Sequence, residues 1–255
     1  MIKATLKNLA YGLYDLATLK KGISRKINNK MIRFPVRWSR YYEDYYEAAN
    51  YSFLQKQLKP GMQVMDIGAH IGLFSVYTSQ LVGTTGKIIC FEPTPGTFAI
   101  LKRTLKLNHC DNVLPIQAAV ADKEGKATFY VGNTAGCNSN SLVENKSKEE
   151  LSAYDVQLVT IDSIVAQYSF KPELIKIDAE GAELDVLKGG LKTFRELKPV
   201  LILGLHPSFI KQKGDSLEAI WDLLKSQQYE ITLEDKTLTK ESFCSHDLIF
   251  DVHCF

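Results

Sequence analysis

The chain has 255 residues, 45% of them apolar, 24% charged and a formal net charge of +2, which is enough to bury one sizeable α/β core. No proline- or serine-rich linker, internal repeat or low-complexity tract divides it, so the economical organisation is an N-terminal extension over residues 1–50 and one catalytic domain over 51–255. Five cysteines, odd in number and without C-x-x-C spacing, argue against a disulfide framework and a zinc site, and place the chain in a reducing cytoplasm.

The charge is unevenly spread. Residues 1–40 hold ten Lys or Arg and one acid, Asp15, whereas residues 41–255 hold 21 bases and 28 acids, so the two parts carry +9 and −7. In the first part Ile2, Leu6, Leu9, Leu13, Leu16, Ile23 and Ile27 recur at helical spacing, with Lys3, Lys7, Lys20, Lys21 and Lys26 elsewhere around the wheel. That pattern predicts a basic amphipathic helix over residues 1–30, which either lies on an anionic membrane surface at the inner face or docks on its own domain or a second copy. Asp15 and the lysines interrupt every apolar run and no small-residue cleavage pattern follows, against a membrane span or a signal peptide. The next segment, FPVRWSRYYEDYYEAANYSFL at 34–54, reads as a second amphipathic helix whose aromatics pack beneath or beside a ligand site. Basic residues interleaved with Trp38, Tyr41, Tyr42, Tyr45 and Tyr46 suit single-stranded nucleic acid, but Glu43, Asp44 and Glu47 put that reading last.

Period-2 and short apolar runs then predict strands near 62–66, 87–92, 113–120, 126–131, 155–161, 173–178, 199–206, 229–233 and 246–253, with helices between most of them. Alternation of this kind predicts a mostly parallel α/β sheet. The last two runs are too close for a helix crossover and read as an antiparallel closing pair, and KATFYVG after the DKEG turn at 122–125 reads as a hairpin-like insertion.

Three strand ends carry acids. In VMDIGAHIGLF at 64–74, Asp66 ends the strand and Gly68 and Gly72 bracket the turn into a helix from Ile71 to Leu81. A dinucleotide fingerprint would need G-x-G-x-x-G, but position 70 is His70, and the acid two residues before the first glycine repels phosphate. It suits a cationic ligand with hydroxyls, such as S-adenosylmethionine. Glu92 closes IICFE about 20 residues later, the separation at which a Rossmann-type unit sets an acid on ribose hydroxyls; the plainer alternative is a solvent-facing strand end. Pro93 and Pro95 stop that strand and start a helix to Leu107. Gln117 to Ala119, ending the third strand, run beside the adenine. The expected cofactor set is therefore Asp66, Gly68, His70, Gly72, Glu92, Pro93, Gln117 and Ala119.

The third end is LIKIDAEGAELDVLKGG at 174–190. With VTIDSI at 159–164 and the two motifs before it, it resembles the FkbM-type family of S-adenosylmethionine-dependent methyltransferases, a match over roughly 55–252. The resemblance implies a Rossmann-like class I methyltransferase fold with flanking helices, and O-methylation of a hydroxyl on a saccharide, glycolipid or glycosylated natural product. It also implies that the segment before the glycine motif covers the pocket, making Tyr45 an acceptor contact, and that GCNSNSL at 136–142 lies over the site, where Asn138, Ser139, Asn140 and Ser141 bind acceptor hydroxyls.

Methyl transfer needs an acceptor oxygen in line with the methyl and somewhere for its proton to go. Asp178, Glu180 and His206 are the expected reactive edge: Asp178 and Glu180 stand beside the methyl, and His206, ending PVLILGLH, accepts the proton with one of the two acids orienting its ring. Relatives often carry an acid two residues before this histidine, where Gly204 stands here. Glu183 reads equally as a helix-start acid and as a catalytic group. A divalent ion on Asp178, Glu180 and His206 is the rival account and ranks second, since their spacing matches no metal motif. A nicotinamide oxidoreductase lacks its phosphate loop, DAEG stands where a nucleic-acid amino-methyltransferase would carry a D/N-P-P-Y/F segment, and a phenolic acceptor or a non-catalytic, membrane-associated S-adenosylmethionine-binding scaffold stays open.

Overall fold

The computed structural model describes Tyr11 and residues 20–132 and 151–255. In chain order it comprises β1 (Ile23–Ile27), β2 (Lys30–Phe34), a 3-10 turn at Val36–Trp38, α1 (Ala48–Gln57), β3 (Gln63–Ile67), α2 (Leu73–Val82), β4 (Lys87–Phe91), α3 (Pro95–Leu107), β5 (Val113–Ile116) and β6 (Ala119–Val120). There follow β7 (Gly125–Gly132), β8 (Leu151–Val159), α4 (Ile161–Tyr168), β9 (Leu174–Asp178), α5 (Glu183–Lys188), α6 (Leu191–Leu197), β10 (Val200–Leu205), α7 (Pro207–Lys213), α8 (Leu217–Ser226), β11 (Ile231–Leu233), β12 (Lys236–Thr237), α9 (Lys240–Cys244) and β13 (Phe250–Cys254).

The central sheet has the order β12-β11-β13-β10-β9-β3-β4-β5. β5, β4, β3, β9 and β10 run parallel, and β13 enters antiparallel between β10 and β11. The parallel strands are apolar almost throughout because helices cover both faces, leaving no polar face to alternate with. One core, around Met65, Ile175, Leu203 and Ile220, fills the face under α4, α5, α6 and α8; the other, around Val64, Tyr77, Leu101 and Ile202, fills the face under α1, α2 and α3. Helix starts are encoded locally: Thr160 and Ser163 form a reciprocal capping box at α4, Ser216 caps α8, and Pro95 and Pro207 occupy the first turns of α3 and α7. This is the Rossmann-like class I methyltransferase architecture, with the expected antiparallel closing strand.

Three expectations are corrected. Residues 23–34 form a hairpin in place of the continuation of a basic helix: Asn28 and Asn29 take left-handed angles, φ 44° and 68°, in a two-residue turn, and Ile27 pairs with Lys30. Ile27, Ile32 and Phe34 enter the second core, so the hairpin belongs to the domain and its Ile23 and Ile27 are not on a membrane-facing stripe. The segment 34–54 is helical only from Ala48, because Pro35 and the left-handed Glu47 (φ 45°) break the path before it. The run 113–120 divides: β5 stays in the main sheet and β6 joins a second sheet, β6-β8-β7, whose β7 and β8 are the antiparallel insertion. Most of the proposed membrane-facing stripe and the loop Asn138 to Ser141 lie outside the described residues. Among the described residues no helix is long and apolar enough to cross a membrane.

Candidate active site

β3 and β9 are neighbours in space and distant in sequence, and connections leave them toward opposite sides of the sheet. At such a switch point the strand ends cannot be closed over by one connection, which leaves a crevice. Here the crevice is a cavity at the carboxyl ends of β3, β4 and β9. Its lining includes Gly68, Ala69, His70, Phe91, Glu92, Pro93, Thr94 and Ala118 to Val120 from the β3, β4 and β6 side. It also includes Tyr41, Tyr42, Tyr46, Glu47, Tyr51, Leu73, Phe74 and Lys176, together with Asp178, Ala179, Glu180 and Ala182.

At the end of β4 the backbone organises the acid. Glu92 is 6% exposed, and its two oxygens accept the N–H groups of His70 at 3.1 Å and Thr94 at 2.9 Å. Burial outweighs those bonds and pushes its carboxyl up to about 7. Each carboxylate oxygen has a second lone pair, so both can still accept from a vicinal diol. His70 sits in a left-handed conformation, φ 50°, and shares a hydrogen bond with Tyr42 Oη at 3.1 Å; burial pushes its imidazole down to about 4, so it is neutral. Gly68 lines the cavity, and its lack of a side chain also has a packing reason. A Cβ on it would meet the Asp178 carbonyl oxygen at 2.0 Å, so glycine here lets the end of β3 close onto the end of β9. Gly72 caps α2 at φ 93° and does not line the cavity. Asp66 lies fully buried below the turn: Ser75 Oγ donates to Oδ2 at 2.5 Å, Oδ1 has no partner, and burial raises its pKa. Pro93 and Ala119 line the cavity; Asp66 and Gln117 do not.

Side chains organise the acids at the second strand end. Parallel register sets Gly204 of β10 beside Asp178, which brings His206, one residue past the strand, to the same edge. His206 is 8% exposed and lies behind Asp178, off the cavity wall: Nδ1 is 2.9 Å from Glu183 Oε1 and Nε2 is 3.7 Å from Asp178 Oδ1. Burial lowers the His206 pKa, but Glu183 and then Asp178 outweigh it and the net shift is upward. The ring's close partner is therefore Glu183, fully buried at the start of α5, rather than Asp178 or Glu180 as expected; Glu183 also accepts the Gly181 N–H at 3.0 Å. A carboxylate only accepts, so Nδ1 carries the proton toward Glu183, and Nε2 faces Asp178 across 3.7 Å. With Asp251 Oδ1 and the Asp178 carboxyl 3.1 and 3.4 Å from a Cβ built on Gly204, an acid at that position would crowd both.

Lys176 is the residue that sequence reading passed over. It is 7% exposed, and Nζ donates to Asp178 Oδ2 at 3.0 Å. Burial alone would raise the Asp178 pKa, yet Lys176 and then His206 overcome it and hold Asp178 below the usual carboxylate range. Glu180 is the opposite case: burial and then Asp178 push its carboxyl up to about 8, Oε2 is buried without a partner, and its backbone takes φ 46°. The signal for Lys176 was the strand period, since residues two apart share a face and Lys176 must therefore accompany Asp178. The structure does not bring Tyr45, 77% exposed, into the cavity; Tyr41, Tyr42 and Tyr46 take that place. Among the described residues no three ligating side chains converge as a metal site.

The profile of the methyltransferase FkbM domain matches residues 66–231. Methyltransferase sdnD of Sordaria araneosa is 30% identical over 210 residues, 71% of this chain and 78% of that protein. Hexuronic acid methyltransferase AglP of Haloferax volcanii is 25% identical over 138 residues, 54% of this chain and 53% of that protein. 2-O-methyltransferase NoeI of Sinorhizobium fredii is 26% identical over 183 residues, 66% of this chain and 73% of that protein.

Proposed function

The chain belongs to the FkbM methyltransferase family, and from that premise we propose that it is an S-adenosylmethionine-dependent O-methyltransferase acting on a hydroxyl of a saccharide, glycolipid or glycosylated natural product. The carrying observation is that Asp178 and Glu180 line the same cavity as Glu92, with the Glu183–His206 pair behind Asp178. Two relatives support the acceptor class, one named as a hexuronic acid methyltransferase and one as a 2-O-methyltransferase. The donor set fits the cofactor: a buried carboxylate with lone pairs to spare at Glu92 for ribose hydroxyls, apolar Phe91 and Ala118 to Val120 beside it for a base, and an excess of acids around a cationic sulfur.

When bound, S-adenosylmethionine supplies an electrophilic methyl on sulfonium sulfur. Asp178, kept ionised by Lys176, accepts the hydrogen bond of the acceptor hydroxyl and sets its oxygen in line. As the O–C bond forms and the methyl–sulfur bond would break, the hydroxyl proton passes to the Asp178 carboxylate and from it to His206 Nε2, held 3.7 Å behind Asp178 by Glu183. Glu180, protonated near neutral pH, donates to a neighbouring acceptor oxygen. The buried free thiols Cys90, Cys110 and Cys254 support a reducing compartment such as the cytoplasm.

Incubation of the full chain with S-adenosylmethionine labelled in its methyl group, against methyl glycosides, hexuronic acids, a catechol and a single-stranded oligonucleotide, tests the reading. Alkali-stable label on a glycoside is the expected result. Label confined to the catechol, the oligonucleotide or an alkali-labile ester would contradict it.

A further inference from the structure

The cavity holds two charged side chains that the transfer itself does not consume. Lys176 is a buried cation that lines the cavity, with its Nζ 3.0 Å from Asp178 Oδ2 and 5.6 Å from the Phe74 ring centroid. An ammonium has three donors, and a single carboxylate at one side leaves the others directed elsewhere. Glu47 lines the same cavity. It occupies the position before α1, where a side chain ordinarily turns back to cap the helix, yet it makes no capping bond and is held left-handed at φ 45°. A glutamate rarely adopts that conformation, and such strain persists where surrounding structure enforces it. Its Oε2 meets Asn50 Nδ2 at 3.5 Å, and its charge is felt by Lys176, Asp66 and Asp251 alike.

A buried cation and an anion that line one cavity complement a zwitterion. We propose that Lys176 and Glu47 are the subsite for the amino-acid end of the cofactor, Lys176 binding the α-carboxylate and Glu47 the α-ammonium of the methionyl or homocysteinyl group. This rests on the cofactor reading above and deepens it. It gives the two ends of the ligand separate anchors: Glu92 for the ribose and the Lys176–Glu47 pair for the amino acid. It also accounts for a lysine in a site that must accept a sulfonium, since Asp178 and the ligand's own carboxylate together surround that cation with negative charge.

The test is calorimetric titration of the full chain with S-adenosylhomocysteine and with 5′-methylthioadenosine, which keeps the adenosine and thioether and lacks the amino acid. Lys176→Met and Glu47→Gln each weaken S-adenosylhomocysteine by roughly 10- to 100-fold, the scale of a lost charge-assisted bond, and leave 5′-methylthioadenosine within about threefold of the unaltered chain. Retained binding of the second ligand also reports that each variant is folded, and Glu47, half-exposed, gives a variant without a core disturbance. Equal losses for both ligands, or no loss for either, would overturn the assignment and give the lobe to the acceptor. An unaltered chain that binds neither ligand would remove the cofactor reading itself, a result separable from the other two.

Discussion

The two strand ends that meet at the switch point are built differently. At β3 and β4 the main chain does the organising: Glu92 is fixed by two backbone N–H groups, and glycine allows the turn to close onto β9. At β9 and β10 side chains hold side chains, Lys176 on Asp178 and Glu183 on His206, and Glu180 and Glu183 each keep one buried oxygen without a partner. At the first end the groups that fix the acid do not titrate, although Glu92 itself does at about 7, whereas at the second end both members of each pair are ionisable. The first suits holding a ligand; the second suits moving a proton.

The comparison breaks most severely at the junction. Gly68→Ala drives a methyl group into the Asp178 carbonyl at a left-handed φ of 80°, and a loss of roughly 3 to 5 kcal/mol of stability is expected in urea unfolding. A variant as stable as the parent would show that the two ends are not packed as described. Next in size, His206→Ala lowers turnover on the methylated acceptor by about two orders of magnitude while S-adenosylhomocysteine affinity stays within twofold. Parallel loss of affinity would place His206 in the binding half instead.

A smaller effect separates the anchors. Glu92→Gln is expected to weaken S-adenosylhomocysteine and 5′-methylthioadenosine alike, each by roughly tenfold, because both carry the ribose; a loss restricted to the first ligand would contradict the ribose assignment. The smallest is a pH effect. Glu180 holds its proton more tightly folded, at about 8, than its ordinary value of 4.5, so its contribution is full below about 4.5 and is lost as pH rises through about 8. The melting temperature of Glu180→Gln relative to the parent therefore climbs by a few degrees between those limits. A difference that stays flat across that window would mean that Glu180 titrates as an exposed acid.

Much of this was legible residue by residue. Asp66, Glu92 and Asp178 end runs of apolar residues, and that pattern is enough to order the parallel strands and find the open edge. Lys176 was legible too, since the alternation of a strand puts it on the face of Asp178. The Glu183–His206 pair was not, because it depends on the register of β9 with β10 and on the angle at which α5 leaves its loop. The hairpin at residues 23–34 was obscured by a coincidence: isoleucines at 23 and 27 satisfy a helical period as well as a strand's, and only the Asn28–Asn29 turn distinguishes them. Gly68 was noticed for its freedom, but the neighbour that demands it, the Asp178 carbonyl, is 110 positions away in the chain.

The most direct measurement is a calorimetric titration of the purified full chain with S-adenosylhomocysteine, with NAD as the comparison ligand. Micromolar binding of S-adenosylhomocysteine and none of NAD is the predicted result. Binding of NAD, or of neither ligand by a folded sample, would contradict the assignment of the cavity at the β3, β4 and β9 ends.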